Sequence, residues 1–419
     1  MCVRMTSKNV KRIISLILVF VLAFSVSVFA YAENDETADN AIYENEEDNS
    51  FSIIDSDDSA LEENKTEVIT TKNVENPLDN SSKGEEYDIY SDEILEDCEP
   101  VQNNTVNDDV FDKSLNSETW VKKGNLFNRD NGAEYIVQGF AVGTNYCYSV
   151  EMSSDESSHR LYRKNLNNNT NAEIMTSSSP VVSLGHANDM CLVTYKDTNN
   201  ITHYYLYVIA CFKNLSTSYI VKLEYSGSTY EQKAKYNLSA KYSAISKVKY
   251  YTNSSGEPMV QFLLRGNDGY YTASVRRGQS GTYSLATTKR FTVSRPSAYT
   301  YFANQGIHYE SNKLYVPLFG YNDSVQGNNP NQRKKNVVLV YNVSNAVLSS
   351  TTVNNLVWNK AVIIQANTSA LSHFEIESIG FSVNNPNLNN DLMWFNTNEK
   401  NSNGQFISGG IYLDSQDIK

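Results

Sequence analysis

The chain has 419 residues, of which 40% are hydrophobic and 11% aromatic, so it is long enough to bury a sizeable core. Its formal net charge of −13 is uneven: residues 33–100 contain 24 acidic side chains and three lysines, whereas residues 101–419 carry a net charge of +4. So small a positive excess argues against a nucleic-acid-binding domain, and the sequence shows no phosphate-binding loop, dinucleotide fingerprint or Ser/His/Asp order.

Residues 1–32 have the composition of a secretory signal peptide. Four basic residues lie between positions 4 and 12, an apolar run follows from Ile13 to Ala30, and Ala30-Tyr31-Ala32 is a small-x-small cleavage site. We therefore predict a secreted, extracellular product that begins at Glu33. An uncleaved membrane anchor is the alternative, because the apolar run approaches the roughly 18 to 20 residues of a membrane span. After cleavage, no remaining segment is expected to cross a membrane.

Residues 33–117 form an acidic segment that we predict to be a disordered linker. Its charges repel one another, and it has too few apolar residues to offset the entropy lost on ordering. Two roles are open. The segment is either a solvated spacer or a competitor of an anionic ligand for the slightly basic domain that follows.

Residues 118–419 have the pattern of an all-β domain. Short runs rich in Tyr, Val, Ile, Phe and Thr alternate with Asn, Ser and Gly clusters, and no apolar pattern of helical period persists. A repeat is visible within them: Gln138 to Tyr148 aligns without gaps on Gln305 to Tyr315, and weaker copies begin at Asn188, Ser246 and Glu377.

The spacing of these copies, between 50 and 72 residues, accommodates four strands with their turns. We therefore predict a five-bladed β-propeller of four-stranded antiparallel blades, with residues 119–127 as the outer strand that closes the last blade. A pair of β-sandwiches is the main structural alternative.

A propeller brings the starts of its innermost strands together around a central channel. The aligned polar residues should then form a ring, and two blades add polar residues just before it, because residues two apart on a strand share a face. The predicted channel or ligand-binding residues are Gln138, His186, Asn188, Ser246, Gln305, His373, Glu375 and Glu377. Asp189 is expected to point the other way, toward a neighbouring blade or a backbone turn.

Three roles are open for this ring. Its polar groups can clamp the blades together by bonding water, backbone and each other. The carboxylates of Glu375 and Glu377 can hold a Ca²⁺ ion, the only cofactor that the sequence suggests. Alternatively, Asp189, Glu375 and Glu377 can supply the carboxylate pair of a glycoside hydrolase.

The three cysteines of the domain, Cys147, Cys191 and Cys211, show no metal-binding spacing. Their odd number prevents complete pairing within the domain, and export would permit a disulfide. Buried thiols are the simpler expectation, and their disulfide state is left open.

Three short motifs in this order resemble the helveticin J-like bacteriocin family over residues 118–419. They are Gln138-Gly-Phe-Ala-Val142, Gly185-His-Ala-Asn-Asp-Met190 and Glu375-Ile-Glu-Ser-Ile-Gly-Phe381. The resemblance implies a propeller-like secreted protein that inhibits related bacteria, acts at their envelope and has no assigned catalytic residues. The signal peptide and the long acidic segment go beyond the family pattern.

Two functions therefore follow as expectations. The first is a secreted antibacterial or envelope-binding protein whose partner is a bacterial cell-surface glycan or wall polymer. Tyrosines such as Tyr250, Tyr251, Tyr270 and Tyr299 could stack on its sugar rings. The alternative is a propeller glycoside hydrolase or lyase that acts on an extracellular polysaccharide.

Overall fold

A computed structural model describes residues 110–115, 120–126, 135–321, 330–366, 368–382 and 392–414. The predicted signal peptide and residues 33–109 of the predicted acidic linker lie outside these ranges, and their predictions stay untested. Among the described residues, no helix is long and apolar enough to span a membrane.

The described chain forms five β-sheets, each built mainly from four antiparallel strands, and these sheets are the blades of a β-propeller. The predicted fold class is thereby confirmed. Blade 1 consists of β3 (Tyr135–Val142), β4 (Tyr146–Ser153), β5 (His159–Asn165) and β6 (Glu173–Ile174). Blade 2 consists of β8 (Asp189–Lys196), β9 (Thr202–Ala210), β10 (Tyr219–Ser226) and β11 (Thr229–Leu238), and β7 (Thr176–Ser177) pairs with β11.

Blades 3 and 4 follow the same order from the inside outward. Blade 3 consists of β12 (Tyr242–Thr252), β13 (Pro258–Gly266), β14 (Gly269–Arg276) and β16 (Thr288–Val293). Blade 4 has an interrupted inner strand, β17 (Ala303–Asn304) and β18 (His308–Glu310), followed by β19 (Lys313–Phe319), β20 (Lys335–Asn342) and β22 (Lys360–Ala366). The short helix α1 (Asn345–Ser349) and two 3₁₀ turns, Ser297–Tyr299 and Pro330–Lys334, lie in the connections.

Blade 5 joins the two ends of the described chain. It consists of β23 (Leu371–Phe381), β24 (Met393–Asn401), β25 (Phe406–Asp414) and, as its outer strand, β2 (Trp120–Asn125). The predicted closing strand is therefore present. Trp120 is only 4% exposed and packs edge-on against Phe395, and Lys122 forms an ion pair of 2.9 Å with the buried Glu399.

The edges of blades 2, 3 and 4 carry a fifth, parallel strand that the sequence did not predict. In two cases the chain leaves its own blade, pairs with the outer edge of the preceding blade and then returns; in the third, the chain pairs with blade 4 before it enters blade 5. The edge strands are β15 (Gly281–Leu285) on blade 2, β21 (Asn354–Leu356) on blade 3 and β1 (Val110–Leu115) on blade 4. Because β1 lies within the predicted linker, the propeller begins earlier than residue 118.

The hydrophobic core is divided into five clusters, one between each pair of consecutive blades. Consecutive residues of a strand contribute to different clusters: Tyr207 packs toward blade 3 and Val208 toward blade 1. In the same way, Val338 packs toward blade 5 and Leu339 toward blade 3. Since both faces of a blade are buried, these strands are continuously apolar instead of alternating.

Candidate functional site

The inner strands of consecutive blades contact one another around the ring, and the side chain of Asp189 lies at their meeting point. Its Oδ2 accepts the backbone N–H groups of Ile245 in blade 3 (3.1 Å) and Ile307 in blade 4 (2.8 Å). Its Oδ1 accepts the hydroxyl of Ser378 in blade 5 (2.7 Å) and the N–H of Met190 (3.0 Å). A side chain of blade 2 that reaches three other blades occupies the axis itself.

This arrangement makes Asp189 a clamp. Two carboxylate oxygens offer about four acceptor sites, and protein donors fill all four. Complete burial raises the pKa of Asp189 to about 7, and the donors from Ile307, Ser378 and Ile245 oppose the shift. The sequence predicted that Asp189 points away from the channel, toward a neighbouring blade or a backbone turn; it does contact neighbouring blades, but at the axis itself. Its suggested catalytic role stays a prediction, and a substrate would have to compete with these four protein donors for the carboxylate.

Two glycines of the repeat allow the blades to approach this carboxylate. A Cβ atom on Gly139 would lie 2.9 Å from the carbonyl oxygen of Ala187, and one on Gly306 would lie 2.9 Å from Oδ1 of Asp189. Gly139 donates its N–H to Ala187 (3.0 Å), and Gly306 donates its N–H to the carbonyl of Glu377 (2.7 Å). The Gln-Gly pair recognised in the sequence therefore marks two places where neighbouring inner strands touch.

A second polar group lies on the upstream side of Asp189, by which we mean the side from which the inner strands start. Glu375 precedes Ser378 on β23, and Gln305 precedes Ile307 in blade 4. Oε1 of Glu375 accepts a hydrogen bond from Nε2 of Gln305 (2.7 Å), and its Oε2 lies 2.9 Å from Nε2 of His373. We call these three residues the Glu375 cluster.

The Glu375 cluster is the part of the predicted ring that the structure brings together. The side chain of Glu375 is 20% exposed, whereas His373 is 10% exposed and packs edge-on against Phe319. Nδ1 of His373 is buried and has no hydrogen-bond partner in the described structure. Glu375 is thus held from two sides, and the described residues leave one acceptor site open on each of its oxygens.

Glu377 does not share the face of Glu375, contrary to the prediction. A β-bulge between Ile376 and Ser378 breaks the two-residue period of β23. Glu377 turns into the seam between blades 5 and 1, where its Oε1 accepts a hydrogen bond of 2.5 Å from Asn398. Burial, and then the negative charge of Glu375, raise the pKa of Glu377 well above its ordinary value, which favours the protonated form.

Two buried asparagines of β24 hold this seam together, and sequence reasoning missed both. Asn398 bonds the N–H (2.9 Å) and the carbonyl (3.0 Å) of Val137, so it pairs with blade 1 as a peptide group would. Asn396 accepts from the N–H of Ser378 (3.0 Å) and donates to the carbonyl of Gln138 (2.6 Å). The signal available in the sequence was an asparagine at alternate positions of an otherwise apolar strand, Trp394 to Asn398.

In the loop that leads into β8, the described partner of His186 is Glu156 and not a residue of the Glu375 cluster. Gly185 and Ala187 adopt positive φ angles of 53° and 43°, which turns the chain sharply before Asp189. His186 is 41% exposed, and its Nδ1 lies 3.0 Å from Oε1 of Glu156 in the turn between β4 and β5. Oδ1 of Asn188 is buried without a partner in the described structure.

The remaining ring positions are structural. Ser246 is buried, and its hydroxyl accepts the N–H of Tyr309 in blade 4 (2.8 Å). Gln138 is 4% exposed and lies in a bulge of β3. The described residues contain no group of three or more His, Cys, Asp or Glu side chains arranged to hold a metal ion. The geometry therefore gives the predicted calcium site at Glu375 and Glu377 no support.

Other sequence expectations are resolved by burial. Cys147, Cys191 and Cys211 are buried free thiols, and burial raises the pKa of Cys147 to about 12. Tyr270 and Tyr299 are 3% and 5% exposed, so they pack in the core and cannot stack on a sugar.

Known proteins resemble this chain in fold without resembling it in sequence. No family model matches the chain, and no curated protein matches it. Similar solved structures include an α-L-arabinofuranosidase from Fusarium graminearum, with a TM-score of 0.40 and 7% identity over 72% of this chain and 100% of that chain. An α-L-arabinanase from Penicillium chrysogenum has a TM-score of 0.34 and 8% identity over 72% and 99% of the two chains.

A third similar structure is an exo-β-1,3-galactanase from Phanerochaete chrysosporium, with a TM-score of 0.37 and 8% identity over 70% of this chain and 64% of that chain. At these scores and identities, the likeness transfers neither residue roles nor activity to this chain.

Proposed function

We propose that this protein binds carbohydrate on the upstream side of Asp189, with the Glu375 cluster as its hydroxyl-binding group. The proposal rests on the position, exposure and hydrogen bonds of the Glu375 carboxylate. It lies beside the axis, is partly exposed, and is oriented by Gln305 and His373.

The contrast with Asp189 supports this assignment. Both carboxylates belong to inner strands, but Asp189 has every acceptor site filled by the protein. Among the described residues, each oxygen of Glu375 has one hydrogen-bond partner, which leaves a second lone pair. Sugar hydroxyls are donors that suit those lone pairs. Convergent polar groups held rigidly in a concave site are the usual means of fixing a small polar ligand.

We place the carbohydrate outside the cell, on a bacterial surface, because the sequence begins with a predicted signal peptide and because residues 101–419 are mildly basic. A wall polymer or surface glycan of Gram-positive bacteria is the partner that this reasoning favours.

The test is binding of the purified protein to isolated cell walls and to a panel of soluble polysaccharides, measured by co-sedimentation and calorimetry. Glu375→Gln should weaken binding roughly tenfold or more, because hydrogen bonds to a charged acceptor contribute about 1.5–3 kcal/mol each.

Glu310→Gln provides the matched control, since Glu310 also faces a histidine, His308, at 3.5 Å but lies downstream of Asp189. This variant should bind as the unmodified protein does. Absence of binding across the panel, or equal affinity of Glu375→Gln and the unmodified protein, would overturn the proposal.

Hydrolysis of the bound glycan is a second candidate, favoured by one observation. Glu375 and Glu377 are two neighbouring carboxyl groups, and burial together with Glu375 pushes the pKa of Glu377 upward, a pattern that separates an acid from a base. Glu377 is only 4% exposed, so the proposal requires it to reach a substrate from the seam. Reducing ends released from the polysaccharides that bind, and lost in Glu377→Gln, would support hydrolysis.

The resemblance to helveticin J-like bacteriocins suggests what the binding would be for. A wall-binding propeller of this kind would inhibit the growth of related bacteria. Growth inhibition by the purified protein, scored on the same strains whose walls it binds, tests this extension separately from binding.

A further inference from the structure

Arg265 on β13 is a buried cation without a matching anion. Its residue exposure is 5%, and its Nε and Nη2 both donate to a single acceptor, the hydroxyl of Ser243, at 3.2 and 3.0 Å. Its Nη1 is buried and has no hydrogen-bond partner within the described structure. An arginine carries five N–H donors, so most of the donor capacity of this guanidinium is unused.

Arg265 lies on the same side of the axis as the Glu375 cluster. It pairs in register with Ala244, one residue upstream of Ile245, whose N–H binds Asp189. Arg295 lies close enough to Arg265 to repel its charge, and it donates to Asn304, the residue immediately before Gln305 of the Glu375 cluster.

No ion pair joins Arg265 to a carboxylate among the described residues. Burial lowers its pKa, Tyr270 and Asp189 raise it, and nearby Arg295 lowers it further. Asp189 is close enough to attract the guanidinium, but its four acceptor sites are taken by other donors. Leaving a buried charge uncompensated is costly, so such a group is normally retained where an anion meets it.

We propose that Arg265 is the recognition group for an anionic substituent, a carboxylate or a phosphate, on the carbohydrate that binds at the Glu375 cluster. The inference rests on the proposed carbohydrate function and names the class of sugar. Arg265 provides a planar pair of donors that matches either anion, and Arg295 adds a second positive charge. The negative charge of Glu375 is offset by the donors of Gln305 and His373.

The experiment compares three probes of one sugar series at equal ionic strength: galactose, galacturonate and galactose 6-phosphate. Binding to the full purified protein is measured by calorimetry and by the shift in melting temperature. At least one charged sugar should bind roughly tenfold more tightly than galactose, because charge-assisted hydrogen bonds are about twice as strong as neutral ones. The two charged arms show whether carboxylate or phosphate is preferred.

Arg265→Met should abolish this preference, so that the three sugars bind with similar affinity. The matched control is Arg290→Met in the same blade, because Arg290 is already bonded to Thr272 (2.7 Å) and Ser350 (2.9 Å). If Arg265→Met fails to fold, Arg265→Lys keeps the charge without the planar pair of donors and should reduce the preference.

Equal binding of all three sugars by the unmodified protein would overturn the inference and leave the carbohydrate proposal standing. A preference for charged sugars that persists in Arg265→Met would also overturn it. If no sugar and no polysaccharide binds, the proposed function fails together with the inference.

Discussion

At the scale of single residues, two buried acids show how partners decide the role of a carboxyl group. Asp189 and Glu151 are both 0% exposed, and burial raises the pKa of both, to about 7 and about 8. Asp189 is surrounded by four donors, whereas neither oxygen of Glu151 has a partner with the distance and angle of a hydrogen bond in the described structure, and only nearby Tyr162 and the charge of Arg160 oppose the rise of its pKa. Through its donors Asp189 joins four blades, although burial still makes its ionisation cost some free energy, and the ionisation of Glu151 costs more because fewer groups oppose it.

Replacement of each acid by its amide should therefore have opposite effects. Asp189→Asn turns an acceptor into a donor that faces other donors, and it should lower the free energy of unfolding by about 3 kcal/mol at pH 8. Glu151→Gln removes an ionisable group whose burial Tyr162 and Arg160 offset only in part, and it should raise the free energy of unfolding by about 1–3 kcal/mol at the same pH. Urea unfolding of the two variants and the unmodified protein measures both changes.

The pH dependence separates these mechanisms. A carboxyl whose folded pKa lies above its unfolded pKa binds its proton more tightly in the folded state, so its contribution to stability is lost as pH rises. For Glu151 that window runs from about 4.5 to about 8. The advantage of Glu151→Gln should consequently be small at pH 5 and grow toward pH 8. An advantage of equal size at both pH values would show that packing, and not ionisation, is responsible.

The sequence predicted which residues lie near the axis, but not the direction in which each side chain points. His373 and Glu375 share a face as the two-residue period predicts, and they do form a pair. Glu377 departs from that period because one extra residue is inserted into β23. A bulge depends on what the partner strand and the next blade offer, here Asn396 and Asn398, and those contacts are remote in sequence.

At the scale of elements, close approach of the inner strands explains the Gln-Gly repeat. The bulge in β3 places Gln138 and Gly139 outside its pairing with β4, so their backbone groups bond to the neighbouring blades. A side chain at position 139 would meet backbone atoms of Ala187 and Asp189, which cannot move aside as a flexible side chain can.

Gly139→Ala should accordingly lower the free energy of unfolding by about 1–3 kcal/mol, the usual cost of overpacking. Gly278→Ala is the control, because a Cβ there lies 3.2 Å or more from the side chain of Tyr195 alone. Thermal melts of both variants give the comparison. If the two substitutions are equally tolerated, the contact between blades 1 and 2 is looser than this geometry indicates.

The number of blades was predictable because the sequence pattern of the inner strand occurs once in each blade. The closing strand was predictable because the last blade lacked an outer strand of its own in the sequence. The parallel edge strands β15, β21 and β1 were not predictable. They are short, and their partners belong to another repeat, so local pattern carries no trace of the pairing.

At the scale of the whole molecule, the described N-terminal strands fasten two blades at once. β1 adds the fifth strand to blade 4, in the position that β15 and β21 occupy on blades 2 and 3, and β2 completes blade 5. The segment of β1 and β2 therefore contributes strands to two consecutive blades, 4 and 5. The segments that contain β15 and β21 link blades 2 and 3, and blades 3 and 4, in the same way. Ring closure should depend mainly on β2, because its residues reach the core, with Trp120 4% exposed and Lys122 bonded to Glu399.

Stepwise truncation from the N-terminus tests the separate contributions of β1 and β2 to stability. A chain that begins at residue 105 keeps both strands and should melt as the chain that begins at Glu33 does. Removal of residues 1–118 deletes β1 alone and should lower the melting temperature while leaving the propeller folded, because blade 4 keeps its four antiparallel strands.

Removal of residues 1–126 also deletes β2, exposes the edge of β25 and leaves the carboxylate of Glu399 without Lys122. This chain should lose its cooperative unfolding transition and become rapidly degraded by protease, because an open ring leaves both the seam between blades 5 and 1 and an unpaired strand edge accessible. Thermal circular dichroism and limited proteolysis of the three chains provide the measurement. Cooperative melting of the shortest chain would show that contacts between inner strands close the ring without the outer strand.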